Sequence, residues 1–129
     1  MRNITIPEVK NVTVAVIREN DGTWKVYLIN NNDVELQNTL VSSTGYGEKE
    51  GEKQKTSTLR HFLETVPPKS TALIEPIDEK VFHLNNEYWV SYYIGREIYD
   101  KKFVFVPETI CEENLIFIKE LEKEGVLHS

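Results

Sequence analysis

The sequence predicts a mainly β protein: an antiparallel β-sandwich of about seven or eight strands, followed by one C-terminal helix over about residues 110–123. Three observations predict it. Apolar and polar residues alternate with period two in short stretches between Asn11 and Val106, the pattern of a sheet with one dry and one wet face. Clusters of Asn, Asp, Gly and Pro interrupt those stretches every 8 to 15 residues or so, and no strand-helix alternation supports a parallel sheet. Helical periodicity appears only after Pro107.

The first strand runs from about Asn11 to Arg18, with Val12, Val14 and Val16 on one face and Ala15 and Ile17 on the other, so it reads as largely buried. Glu19-Asn20-Asp21-Gly22 turns the chain, because Asn, Asp and Gly tolerate the left-handed backbone of tight hairpins. Trp24, Val26 and Leu28 are the inward row of the second strand, and Asn30-Asn31-Asn32-Asp33 is the next reversal. Val34, Leu36 and Leu40 share one parity along a third strand, which decays into Ser42-Ser43-Thr44-Gly45-Tyr46-Gly47. Glu48 to Lys55 carries no apolar residue and is expected to be a mobile connection and the preferred site of proteolysis.

Thr56 to Val66 admits two readings. Leu59, Phe62, Leu63 and Val66 fit a helical stripe, while Leu59, His61, Leu63 and Thr65 alternate, and Pro67-Pro68 follows; strand is assigned because both neighbours are β. Pro67-Pro68-Lys69-Ser70 is a corner into a strand from Thr71 to Glu75, and Pro76 ends it or marks a sheet edge. A short strand is expected at Val81 to Leu84, a turn at Asn85-Asn86-Glu87, an aromatic strand at Tyr88 to Ile94 closed by Gly95, and a last strand at Phe103 to Val106. Thr109 with Glu112 reads as a capping box that opens a helix. Ile110, Leu115, Phe117, Ile118 and Leu121 fall within an arc of about 160°, and Gly125 stands where a left-handed cap belongs.

The chain of 129 residues fits one domain, 1–129, able to bury roughly two-thirds of its extended surface. A single cysteine, Cys111, and an opening without an apolar secretion segment make a soluble cytoplasmic protein the expectation. No uninterrupted apolar run exceeds that of Val14 to Ile17 in length, against the roughly 20 residues of a bilayer span, so no membrane partner is expected. The formal charge of -6 disfavours nucleic acid. Six acids and two lysines lie between Glu108 and Glu124, which puts most of the excess acidity on the expected helix.

The succession Trp24-Lys25-Val26-Tyr27-Leu28-Ile29-Asn30, a turn, a strand with Leu36 and Leu40, a charged loop, then Val66-Pro67-Pro68-Lys69-Ser70 resembles immunoglobulin-like bacterial modules over about Val12 to Pro76. The whole chain resembles a group of small bacterial proteins of this length with an Ile-Pro-Glu-Val opening and a Lys-Gly-Val-Leu-like ending, here Ile6-Pro7-Glu8-Val9 and Glu124-Gly125-Val126-Leu127. The resemblance implies an immunoglobulin-like sandwich and no particular activity. Such proteins sometimes carry the label phenylalanyl-tRNA synthetase alpha subunit. A class II synthetase needs one arginine on the ATP phosphate and another on adenine, carried by a large antiparallel sheet. This chain has only Arg2, Arg18, Arg60 and Arg96, and Arg96 lies between two strands, so synthetase activity is not expected.

Catalytic motifs are sparse. His61, His83 and His128 are the neutral-pH proton-transfer candidates, and no two stand at metal-ligand spacing, so neither a metal nor a cofactor is expected. His61 with Glu64, or His83 with an opposed carboxylate, would need tertiary structure to become a site. Thr44-Gly45-Tyr46-Gly47 lacks the Gly-Lys-Ser/Thr and helix of a phosphate loop, and no Gly-x-Ser-x-Gly elbow is present. Tyr88, Trp89, Tyr92 and Tyr93 stand out: alternation puts Tyr88 and Tyr92 on one face and Trp89 and Tyr93 on the other, and both faces are buried only if the helix covers one. The expectation is a non-enzymatic module that binds a protein partner, including a second copy of itself, through Tyr88 to Tyr93. The alternative is a small-molecule or glycan binder using those aromatics with Arg96, and a weaker one is an enzyme built on His61 or His83.

Overall fold

The computed structural model describes residues 7–129; Met1 to Ile6, with Arg2 and the first residue of the Ile6-Pro7-Glu8-Val9 stretch, lie outside the described residues. Two antiparallel sheets of five strands each make a mainly β, sandwich-like structure. Sheet A contains β1 (Val12–Arg18), β2 (Trp24–Asn30), β6 (Ser70–Ile77), β9 (Ile116–Ile118) and β10 (Lys123–His128), in the order β6-β2-β1-β10-β9. Sheet B contains β3 (Leu36–Lys49), β4 (Glu52–Lys55), β5 (Leu59–Val66), β7 (Asn85–Ile94) and β8 (Glu97–Phe105). Its order is β4-β3-β7-β8, and β5 pairs with the first half of β3.

The inner faces enclose one main core. Val12, Val14, Val16, Trp24, Val26 and Leu28 from sheet A meet Leu36, Val41, Tyr88, Val90, Tyr92, Phe103 and Phe105 from sheet B. These are the rows that alternation places inward on β1, β2 and β7. The stretch with two readings, Leu59–Val66, is a strand, and Pro76 lies in the edge strand β6, where its missing N–H disturbs no central ladder. Among the described residues no helix is long and apolar enough to cross a membrane.

The expected C-terminal helix over about 110–123 is not formed. Glu112–Asn114 is a single 3-10 turn, and Cys111 at its N-cap makes no side-chain capping bond. β9 and β10 then form a hairpin. The apolar residues that share a helical arc are needed on two different surfaces: Ile110 and Leu115 pack with the main core, whereas Ile118 and Leu121 pack with Ala15, Ile17 and Ile29 on the outer face of sheet A. One helix cannot serve both sides of a sheet, and β-branched Ile116 and Ile118 suit a strand. Gly125 is no helix cap. It pairs with Ile17 so closely that a Cβ there would lie 2.6 Å from Ile17 Cδ1 and 2.8 Å from Val16 O.

Further expectations change. Glu48 to Lys55 is not a free connection, because β3 continues to Lys49 and pairs with β4 through a turn with Glu50 and Gly51 at positive φ. Val81 to Leu84 is not a strand: Asp78 caps a 3-10 turn at Glu79–Val81 by accepting from the Lys80 N–H. Asn85 to Glu87 opens β7 and is no turn. Phe103 to Val106 is not the last strand, and β8 begins at Glu97, directly after the Gly95-Arg96 turn. Along β3 the parity reverses at Asn38, whose φ of 49° accompanies a register shift, so Thr39, Val41 and Ser43 point inward and Leu40 points outward. Val34, expected to share a face with Leu36, is exposed.

Candidate functional site

β7 places its aromatic residues as alternation requires. Tyr88 and Tyr92 are 1% exposed, in the core, where Tyr88 meets the edge of Phe105 and Tyr92 stacks on Tyr99 with ring centroids 5.3 Å apart. Burial pushes the Tyr92 hydroxyl up to about 12, and burial beside the Glu75 carboxylate pushes Tyr88 well above the ordinary tyrosine value. Trp89 and Tyr93 lie on the outer face of sheet B, 44% and 38% exposed. The absent helix covers neither ring.

The register joins these two residues to others on the same face. Phe62 on β5 lies opposite Leu40 on β3, Leu40 opposite Ser91, and Ser91 opposite Asp100. In the next row Arg60 faces Ser42, Ser42 faces Trp89, and Trp89 faces Lys102, whose Nζ lies 4.5 Å from the indole centroid as a cation–π contact. Tyr93 lies opposite Ile98. Leu40, Phe62, Trp89, Tyr93 and Ile98, all exposed, thus form an apolar centre flanked by Arg60, Lys102, Asp100 and Glu87. Arg96 is exposed in the β7–β8 turn beyond Tyr93 and does not join this row. Arg60, not Arg96, stands beside Trp89: a shallow groove of about 530 Å³ is lined by Ser42, Thr44, Tyr46, Lys55, Thr58, Arg60, Glu87 and Trp89.

The histidines divide. His83 Nε2 lies 2.8 Å from Gln54 Oε1 and so ties the segment before β7 to β4, and among the described residues no carboxylate is hydrogen-bonded to it. His61 points inward from β5 and meets Glu75 of sheet A, not Glu64: Nε2 is 2.6 Å from Glu75 Oε1. Ser43 Oγ donates to the same oxygen at 2.6 Å, and the Tyr88 hydroxyl donates to Glu75 Oε2 at 3.1 Å. One carboxylate from β6 therefore binds three strands of the opposite sheet, which satisfies a group that burial would otherwise penalise. In a nucleophilic triad the imidazole stands between hydroxyl and acid. Here serine and histidine both donate to the acid, so this arrangement does not activate Ser43.

Glu75, Ser43 and Tyr88 also line a cavity of about 240 Å³ where β5 leaves β3 and β4 has not yet begun. Its wall includes Asn86, Asp78 and Glu87 as well, while His61 does not contribute to it. Sequence reasoning missed this cluster. Its members are up to 45 positions apart (Tyr88 less Ser43) and come from four strands, so no spacing signals them. Among the described residues no group of three His, Cys, Asp or Glu could hold a metal ion. Comparison with known proteins finds no matching family model, curated protein or solved structure.

Proposed function

We propose that this chain is a non-enzymatic interaction module of immunoglobulin-like type, and that the outer face of sheet B is its contact surface for a protein partner. The carrying observation is the exposed group of Phe62, Leu40, Trp89, Tyr93 and Ile98, spread over three neighbouring rows of a face that no other element covers among the described residues. Aromatic residues at the centre with charges at the rim are the composition of interfaces. The partner that fits best is a second copy. Arg60 and Lys102 accompany Asp100 and Glu87 on one surface, so a two-fold contact sets basic against acidic rim groups while the apolar centres meet. Passage of the chain between two antiparallel sheets over one core supports the immunoglobulin-like reading.

Light scattering coupled to size exclusion, run over a concentration series, tests the reading. A dimer is expected for the parent, and a monomer for Trp89→Glu and for Phe62→Glu, each with unchanged circular dichroism. A parent that stays monomeric over the whole series overturns it.

The groove beside Trp89 favours a second reading, a glycan or small-molecule binder. Two aromatic residues, Trp89 and Tyr46, stand there among the Ser42, Thr44 and Thr58 hydroxyls, Arg60 and Glu87, as a sugar's apolar face and hydroxyl rim require. Isothermal titration with neutral oligosaccharides separates the readings, because only this one expects saturable heat that disappears in Trp89→Ala. The enzyme reading on His61 is the weakest, since its ring nitrogen and the Ser43 hydroxyl spend their hydrogen bonds on the same carboxylate oxygen.

A further inference from the structure

The edges of the two sheets are not alike. Among the described residues they are formed by β4, β5, β6, β8 and β9. Four of these carry features that discourage further pairing. β4 has four residues, all polar, and β9 has three; β5 is bulged where Glu64 has positive φ; β6 contains Pro76 and a register shift against β2. β8 is nine residues long and pairs with β7 without a bulge. Among the described residues no other segment hydrogen-bonds to the backbone of its outer side. The β7–β8 turn decides which groups that side presents. Ile94 faces Glu97 across Gly95 and Arg96, with Gly95 at a φ of 61°, so Ile94 and Glu97 close the hairpin as a hydrogen-bonded pair. Hydrogen-bonded and non-hydrogen-bonded pairs then alternate, which leaves the N–H and C=O of Ile98, Asp100, Lys102 and Val104 pointing away from β7.

We propose that β8 pairs antiparallel with β8 of a second copy, about a two-fold axis at Lys101. In that register each free residue meets a suited one: Ile98 faces Val104 and Asp100 faces Lys102 of the second copy, each twice. Moving the register by two residues, the smallest step that keeps free groups opposite one another, sets Asp100 on Asp100 or Lys102 on Lys102. The two Lys101 meet at the axis, on the inner side of sheet B. Each Nζ lies 4.9 Å from the ring centroid of its own Phe103, so they lean apart, in opposite directions along the paired strands. A preformed edge loses less freedom on pairing than a disordered peptide does, which favours a second copy over an extended segment of another protein. The pairing does not rest on the face contact proposed above: its axis runs perpendicular to the sheet, so both outer faces point the same way and stay open. Ile98 to Val104 alone make a contact smaller than a standard interface, so the pairing is expected at millimolar concentration.

Amide hydrogen exchange of the full chain at micromolar and millimolar concentration tests the pairing, in a Phe62→Glu background that blocks the face contact. The amides of Ile98, Asp100, Lys102 and Val104 are expected to slow at least about twofold at the higher concentration, as pairing of half the molecules requires. Those of Tyr99, Lys101 and Phe103, already bonded to β7, should keep their rates. Asp100→Lys and Lys102→Asp should each abolish the slowing, since each sets like charges opposite one another twice, and the double variant should restore it. Asp100→Pro removes an outward N–H and nothing from the β7 ladder, so it should abolish the slowing while the amides bonded to β7 stay protected. Rates at the four amides that do not depend on concentration overturn the proposal. So does a slowing that the single charge reversals leave intact, or one that the double variant fails to restore. Because the background already lacks the face contact, slowing there stands whether or not the parent associates through sheet B's outer face.

Discussion

The two sheets of this protein treat their outer faces differently. On sheet A, Ala15, Ile17 and Ile29 point away from the main core and are nevertheless buried, because the hairpin of β9 and β10 lays Ile118 and Leu121 over them. Polar ties fasten that cover: Glu120 accepts from Asn31 Nδ2 at 2.7 Å, and Lys123 Nζ donates to Glu19 at 2.6 Å. On sheet B, side chains as large and as apolar remain bare. Among the described residues one face has a cover and the other has none, and the uncovered face is the one proposed above to meet a partner.

Removing the cover should have the largest effect. Ile118→Ala deletes a buried side chain from a four-residue cluster and is expected to cost about 2–5 kcal/mol in urea unfolding. Gly125→Ala tests the same cover where β10 pairs with β1, since the new methyl would meet the Val16 carbonyl, which cannot rotate away. A loss of roughly 1–3 kcal/mol is expected, in the range of overpacking. If either variant unfolds at the parent's midpoint, the hairpin is not what seals sheet A.

Much of this contrast was legible in the sequence and some of it was not. Alternation assigned Tyr88 and Tyr92 to one side of β7 and Trp89 and Tyr93 to the other, because a strand without irregularity preserves parity. It failed along β3, where positive φ at Asn38 shifts the register and sends Leu40 outward, and an ordinary asparagine does not announce such a bulge. The C-terminal segment failed for another reason. Ile110, Leu115, Ile118 and Leu121 satisfy helical spacing, yet two apolar surfaces on opposite sides of sheet A compete for them, and tertiary demand overrides local periodicity. The Glu75 cluster was beyond reach, since its geometry exists only once β3, β5, β6 and β7 have assembled.

The polar ties of the cover add a pH signature. Hydrogen bonding to Lys123 holds the Glu19 carboxyl below its ordinary value of 4.5, and the same contact holds Lys123 above 10.5. A carboxyl with a lowered folded pKa stabilises the protein above pH 4.5 and loses that contribution as pH falls through its folded value. A raised lysine pKa stabilises below 10.5 and fades as pH rises through its folded value. The urea midpoint of the parent should therefore drop at both ends of this window. Glu19→Gln should start lower and change less with acid, and parallel curves for the two proteins would mean that the pair does not hold the hairpin.

The smallest expected change in stability sharpens the comparison most. Phe62 is 60% exposed and Trp89 44%, so each ring keeps much of its surface in water, and truncation should cost less than at Ile118, about 0.5–1.5 kcal/mol of monomer stability. Lys102 over the indole adds a modest exposed contact, so Trp89→Ala should exceed Phe62→Ala slightly. Measured by urea unfolding at a concentration where the parent is monomeric, small losses at Phe62 and Trp89 beside a large loss at Ile118 would separate an apolar surface that holds the fold from one that does not. A loss at Trp89 or Phe62 as large as that at Ile118 would mean that the outer face of sheet B is structural, and the case for a partner there would fall with it.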